Sequence, residues 1–128
     1  MAGQYAAMVA TVVLVAGICF QLLLAAGLPW GRAAYGGQHS GVLPTKLRVS
    51  SVAAAVILGI AAWIVLARAG LVAPHAASIA IRIATWVFGG FFCLNTLGNL
   101  ASKSALERKI MTPQTVVLAA CFFLVALA

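Results

Sequence analysis

Four long apolar runs, at about 5–28, 47–69, 77–100 and 113–128, take up most of the chain, and connections rich in Gly, Pro and basic residues join them. A helix needs roughly 20 predominantly apolar residues to cross a bilayer. In hydrocarbon a single run can satisfy its own backbone polar groups only by forming a helix. The expected fold is therefore an all-α integral membrane bundle of four antiparallel transmembrane helices, forming one domain over residues 1–128. Composition supports lipid as the solvent. Of 128 residues, 65% are hydrophobic and 7% charged, against roughly a quarter charged in a soluble domain.

The formal charge is +7, from eight Lys or Arg and one acidic residue. In a soluble domain that excess would suggest a nucleic acid partner. Here no nucleic acid partner is expected, because the positive-inside bias of membrane proteins accounts for basic loops. Arg32, Lys46, Arg48, Lys103, Arg108 and Lys109 fall in the first and third connections, while Arg68 and Arg82 flank the second. The first and third connections lie on one side of a four-span chain. The expectation is a multi-pass protein of the bacterial inner membrane, with loops 29–48 and 101–112 cytoplasmic and both termini outside. The chain up to Gly31 has no Lys or Arg, so it lacks the basic start of a signal peptide and reads as a retained first span.

Local signals set the expected boundaries. Pro29 ends span one, and Trp30 suits the headgroup layer. The connection from Pro29 to Arg48 is long for a bundle and Gly-rich, so it either folds back on the bundle or forms a short surface helix. Ser51, Ala55 and Gly59 recur every fourth residue in span two and form a small-residue stripe for close helix packing. Ser104 and Glu107 have capping-box spacing and could start a short interfacial helix. Thr112 then reads as an N-cap with Pro113 in the first helical position of span four. That span could also begin earlier, near Lys109. Glu107, the one acidic side chain, reads as a cap or a surface ion pair. Arg82 reads as a snorkelling residue near the end of span three. The row Trp86, Phe88, Phe91 and Phe92 reads as packing and lipid contact.

The informative polar residues are Asn95 and Asn99, on one face of span three. Gln21 in span one, Ser50 and Ser51 at the start of span two, and Gln114 and Thr115 at the start of span four share their depth. Two readings stay open: hydrogen bonding between helices, or a polar ligand-binding pocket. His39 sits in the Gly-rich first connection and His75 in the second, which the charge bias places on opposite sides of the membrane. They cannot share a metal ion in one subunit, and no metal or cofactor is expected. Cys19, Cys93 and Cys121 lie in different spans, form no CxxC pair and read as small buried hydrophobes.

The segments LPWGRAAYGGQHSGVLP, KLRVSS and NLASKSALERKIMTP together resemble small four-span bacterial membrane proteins. That resemblance implies the fold but brings no activity with it. Two other four-span families do not fit. Small multidrug resistance transporters carry a membrane-embedded Glu in their first helix, where this chain has no acid. The membrane-associated glutathione and eicosanoid enzymes carry an Arg, His and Asn set in helix two, which span two lacks.

The sequence therefore points to a small non-enzymatic membrane protein, an accessory or packing subunit whose partners are the lipid bilayer and other membrane subunits or a second copy. The alternative is a small-solute or lipid-binding protein or transporter using Gln21, Asn95 and Asn99. A third reading is an oxidoreductase or lipid-modifying enzyme working through His39.

Overall fold

The computed structural model describes residues 2–72 and 78–128. The expected start of span three at Ala77 and the loop residues Pro74 and His75 lie outside the described residues. The chain forms four helices: α1 (Ala2–Ala25), α2 (Thr45–Arg68), α3 (Ile79–Leu100) and α4 (Ala105–Leu127). Each is long and apolar enough to cross a membrane. The shortest, α3, has 22 residues; at ~1.5 Å per residue it extends slightly beyond a ~30 Å hydrocarbon core. Large apolar side chains such as Val12, Val87 and Leu94 are well exposed. Such faces suit a lipid surround and would be a liability in water.

Helix α1 packs most extensively on α2, and α3 on α4; α1 also packs on α4, while α2 and α3 meet over a shorter stretch. That α2–α3 contact buries Ile64, Ala67 and Ile81. Arg48 Nε donates to Ala25 O at 3.0 Å, and Arg68 Nη2 donates to Ala128 O at 3.2 Å. These bonds place the end of α1 beside the start of α2, and the end of α4 beside the end of α2. The helices thus alternate in direction, and the connections after α1 and α3 share one end of the bundle.

The first helix ends earlier than expected, and Pro29 is not the cause. Gly27 adopts φ 104°, the left-handed region, where a glycine avoids the Cβ penalty. Gly27 N–H donates to Leu24 O at 3.1 Å and Leu28 N–H donates to Leu23 O at 3.2 Å. This bond pair is a Schellman stop. Gly70 ends α2 with the same pair, from Gly70 N–H to Ala67 O and from Leu71 N–H to Leu66 O.

The fourth helix corrects a second expectation. Thr112 is not an N-cap. Helix α4 begins at Ala105 and continues through Pro113, so the short interfacial helix and the span expected there are one helix. Ser104 caps it, with Glu107 N–H donating to Ser104 Oγ at 3.3 Å. Pro113 removes the N–H that Lys109 O would otherwise receive. Nearby, Thr115 Oγ1 lies 3.2 Å from Met111 O and 3.1 Å from Thr112 O.

The small-residue stripe of α2 is buried over only part of its length. Ser51 and Ala55 are buried, but Gly59 is only partly buried and its α-carbon faces open space. Small residues also pack on α1, where Ala6, Ala7, Ala10 and Leu14 join Val65, Phe92 and Phe122 in the main core. Phe92 and Phe122 are in ring contact at 5.2 Å, and Phe88 packs on both. Cys121 is buried as expected, whereas Cys19 and Cys93 are exposed on the helix surface.

Candidate functional site

Nearer the α1–α2 connection than the Ile64–Ile81 contact, the four helices line a partly open cavity of about 280 Å³. Its walls follow helical periodicity. In α1, Leu14, Gly17 and Gln21 line it; in α3, Phe92, Asn95 and Asn99 do so. These residues recur every three or four positions, which keeps them on one face. The three polar residues singled out from sequence, Gln21, Asn95 and Asn99, therefore reach a common space. His39 does not line it. That residue is partly buried in the connection, with Nδ1 enclosed and unpartnered.

The connection between α1 and α2 forms a folded strap over this end. Two single-turn 3-10 helices, Gly31–Ala33 and Tyr35–Gly37, turn it back on the bundle. Gly31 N–H donates to Gly41 O at 2.9 Å and closes the strap on itself. Its Ala34 and Leu43 bury with Leu24 of α1. Tyr35 has φ 50°, and its hydroxyl lies 3.3 Å from Leu47 O and 3.2 Å from the buried Ser51 Oγ. Ala33, Ala34 and Tyr35 roof the cavity. Of the two arrangements the sequence left open for this connection, the strap folded against the bundle is the one formed.

The two asparagines behave differently. Asn99 Nδ2 donates to Thr115 Oγ1 at 3.4 Å across the α3–α4 interface, beside a Thr96–Thr115 hydroxyl contact of 2.9 Å. Asn99 thus bridges helices and lines the cavity. Asn95 lines the cavity with no side-chain hydrogen bond among the described residues. Gln21 Oε1 is buried and also lacks a partner. Buried polar atoms are nearly always satisfied, so an enclosed, unpartnered amide at a cavity wall is an acceptor ready for a ligand or water.

Two site residues were not read as such in the sequence. Glu107, expected as a cap or in a surface ion pair, is 5% exposed and lines the cavity. Tyr35 lines it from the strap. Residues 107, 111, 114, 115 and 118 follow one helical face toward the cavity. That row becomes visible once the helix runs through Pro113. Breaking the helix at Thr112 hid it.

A second, more open hollow of about 500 Å³ lies between α1, the strap and α4, with Trp30 and Arg32 on its wall. Phe20, Ala33, Met111 and Gln114 border both spaces. Arg82 is exposed on α3, away from both. No group of three or more His, Cys, Asp or Glu side chains able to hold a metal ion forms among the described residues. The cavity can accept and donate hydrogen bonds within largely apolar walls, a combination suited to binding a small amphiphilic molecule.

No protein-family model matches the chain, and comparison with curated proteins and with solved structures gives no match. What stands of the resemblance drawn from sequence is its architecture, four apolar helices of membrane-spanning length.

Proposed function

We propose that this polytopic membrane protein binds a small solute between its helices, within the strap-covered cavity. One observation carries the reading. Gln21 and Asn95, from two different helices, face one cavity without side-chain partners of their own at Gln21 Oε1 or anywhere on the Asn95 amide. A subunit serving only to pack against others has no use for a buried, unsatisfied acceptor such as Gln21 Oε1 at an internal space, since it costs about 1–3 kcal/mol when left unpaired. A ligand hydroxyl or amide would satisfy it. The bilayer is the first partner, and the reading includes placement in a bacterial inner membrane with the strap on the cytoplasmic side.

The test uses the full-length protein in lipid nanodiscs and 3,3-dimethyl-1-butanol, a neutral, water-soluble probe small enough for the cavity. Saturation-transfer NMR should detect its binding. Gln21→Ala together with Asn95→Ala should weaken that binding about tenfold, from two hydrogen bonds of ~0.5–1.5 kcal/mol each. Unchanged affinity in the double variant would remove the cavity as the binding site.

A further inference from the structure

We infer that the solute is a small organic cation, an ammonium with short alkyl substituents, and that Glu107 supplies its counter-charge. The inference rests on the cavity-binding reading and adds the ligand's charge.

Glu107 is the chain's single acidic side chain. It is 5% exposed and lines the cavity. Glutamate is almost never so buried unless it is paired. Among the described residues, no hydrogen bond or ion pair reaches its carboxylate.

Its position in the sequence offers an ordinary alternative, the capping box. There the third-position Glu reaches back to the N-cap backbone N–H. Half of that box exists, because Glu107 N–H donates to Ser104 Oγ. The other half is taken by a different group. Ser104 N–H donates to Ser102 Oγ at 3.1 Å, so the N-cap does not require the Glu107 carboxylate.

Nearby cations do not neutralise it either. Arg108 Nη1 donates to Ser102 O at 2.6 Å, and Arg32 faces the neighbouring hollow rather than this cavity. No Lys, Arg or His lines the cavity itself.

The walls then select the kind of cation. Hard metal ions are held by about six oxygen ligands with affinity set by ligand charge, and here one carboxylate stands among neutral amides, hydroxyls and apolar side chains. Phe20, Phe91 and Phe92 line the same space. Aromatic faces attract alkylammonium groups, and one carboxylate balances one positive charge. Gln21 and Asn95 remain to hydrogen-bond a hydroxyl or N–H elsewhere on the molecule.

Choline and 3,3-dimethyl-1-butanol provide the test, because they share a shape and differ by nitrogen for carbon and hence by one charge. Both are titrated by saturation-transfer NMR against the full-length protein in nanodiscs, in wild type, Glu107→Gln and Glu107→Asp. Circular dichroism checks that the helices persist. Wild type should bind choline at least about tenfold more tightly, equivalent to about 1.4 kcal/mol. Glu107→Gln should bring the two probes to similar affinity, and Glu107→Asp should keep the preference. Equal binding of both probes in wild type, or a preference that survives Glu107→Gln, overturns the cation and leaves the cavity reading standing. Binding of neither probe overturns both.

Discussion

Gly37 of the strap lies directly against Ser104, the N-cap of α4, so that a Cβ on Gly37 would overlap the Ser104 side chain. This contact ties the connection after α1 to the start of the last helix. Gly37 also has φ 72°, which costs an ordinary residue roughly 1–2 kcal/mol. Gly37→Ala should therefore destabilise the protein by about 2–3 kcal/mol, combining overlap and strain. Gly36→Ala provides the contrast, since Gly36 has φ 74° but open space around it; it should cost only about 1–2 kcal/mol. Thermal unfolding in detergent micelles would measure both. Equal losses would show that the strap does not bear on Ser104.

The strap is also held by Tyr35 and Ser51, whose hydroxyls are 3.2 Å apart. Ser51 is fully buried, so removing the tyrosine hydroxyl takes away its partner from the strap. Tyr35→Phe should cost about 1 kcal/mol, and Ser51→Ala a similar amount. Because each removes the same bond, the double variant should be less destabilised than the sum of the two by about 0.5–1 kcal/mol. Strict additivity in denaturant titrations would mean that the contact contributes nothing.

Arg48 closes the end of α1 by donating to Ala25 O at 3.0 Å. A cation at a helix C-terminus also interacts favourably with the helix dipole. Arg48→Met keeps much of the aliphatic stem and removes both effects, for an expected loss of about 1–2 kcal/mol. Hydrogen exchange should rise first at amides 26–28, beyond the last turn of α1. A loss spread evenly over all four helices would instead point to a general packing defect.

Helix count and direction were legible because apolar length and connection chemistry are strong, local signals. Helix ends were less so. In the stretch AAGLPWG the sequence holds both a glycine and a proline; proline is the louder signal, yet the left-handed glycine at Gly27 makes the stop. At Pro113 the usual rule misleads in the opposite direction, since a proline after Thr112 signals a helix start, yet the helix runs through it. The common depth of Gln21, Asn95 and Asn99 could be read from helix direction alone, but their facing one space could not, because rotation about a helix axis depends on packing partners. Glu107 stayed hidden for two reasons. Its spacing from Ser104 has a familiar capping explanation, and the competing Ser102–Ser104 bond is visible only in three dimensions. Gly59 continued the small-residue stripe in sequence, yet no neighbouring helix covers it.

The charge bias makes a prediction about sidedness that the fold sharpens. Positive connections remain on the cytoplasmic side, and the connections after α1 and α3 share one end of the bundle, joined where Gly37 meets Ser104. Single cysteines at Ser40 and Lys103, both exposed, report that end; a cysteine at Leu71, exposed near the end of α2, reports the other. The native Cys19, Cys93 and Cys121 are replaced by Ala to clear the background. In intact cells a membrane-impermeant maleimide should label Leu71→Cys and leave Ser40→Cys and Lys103→Cys untouched until the membrane is permeabilised. The opposite pattern would place the strap and its cavity on the exterior and overturn the charge-based orientation while leaving the bundle intact. Labelling of Ser40→Cys and Lys103→Cys from different sides would be more damaging, because no arrangement of this bundle separates the strap from the N-cap it packs against.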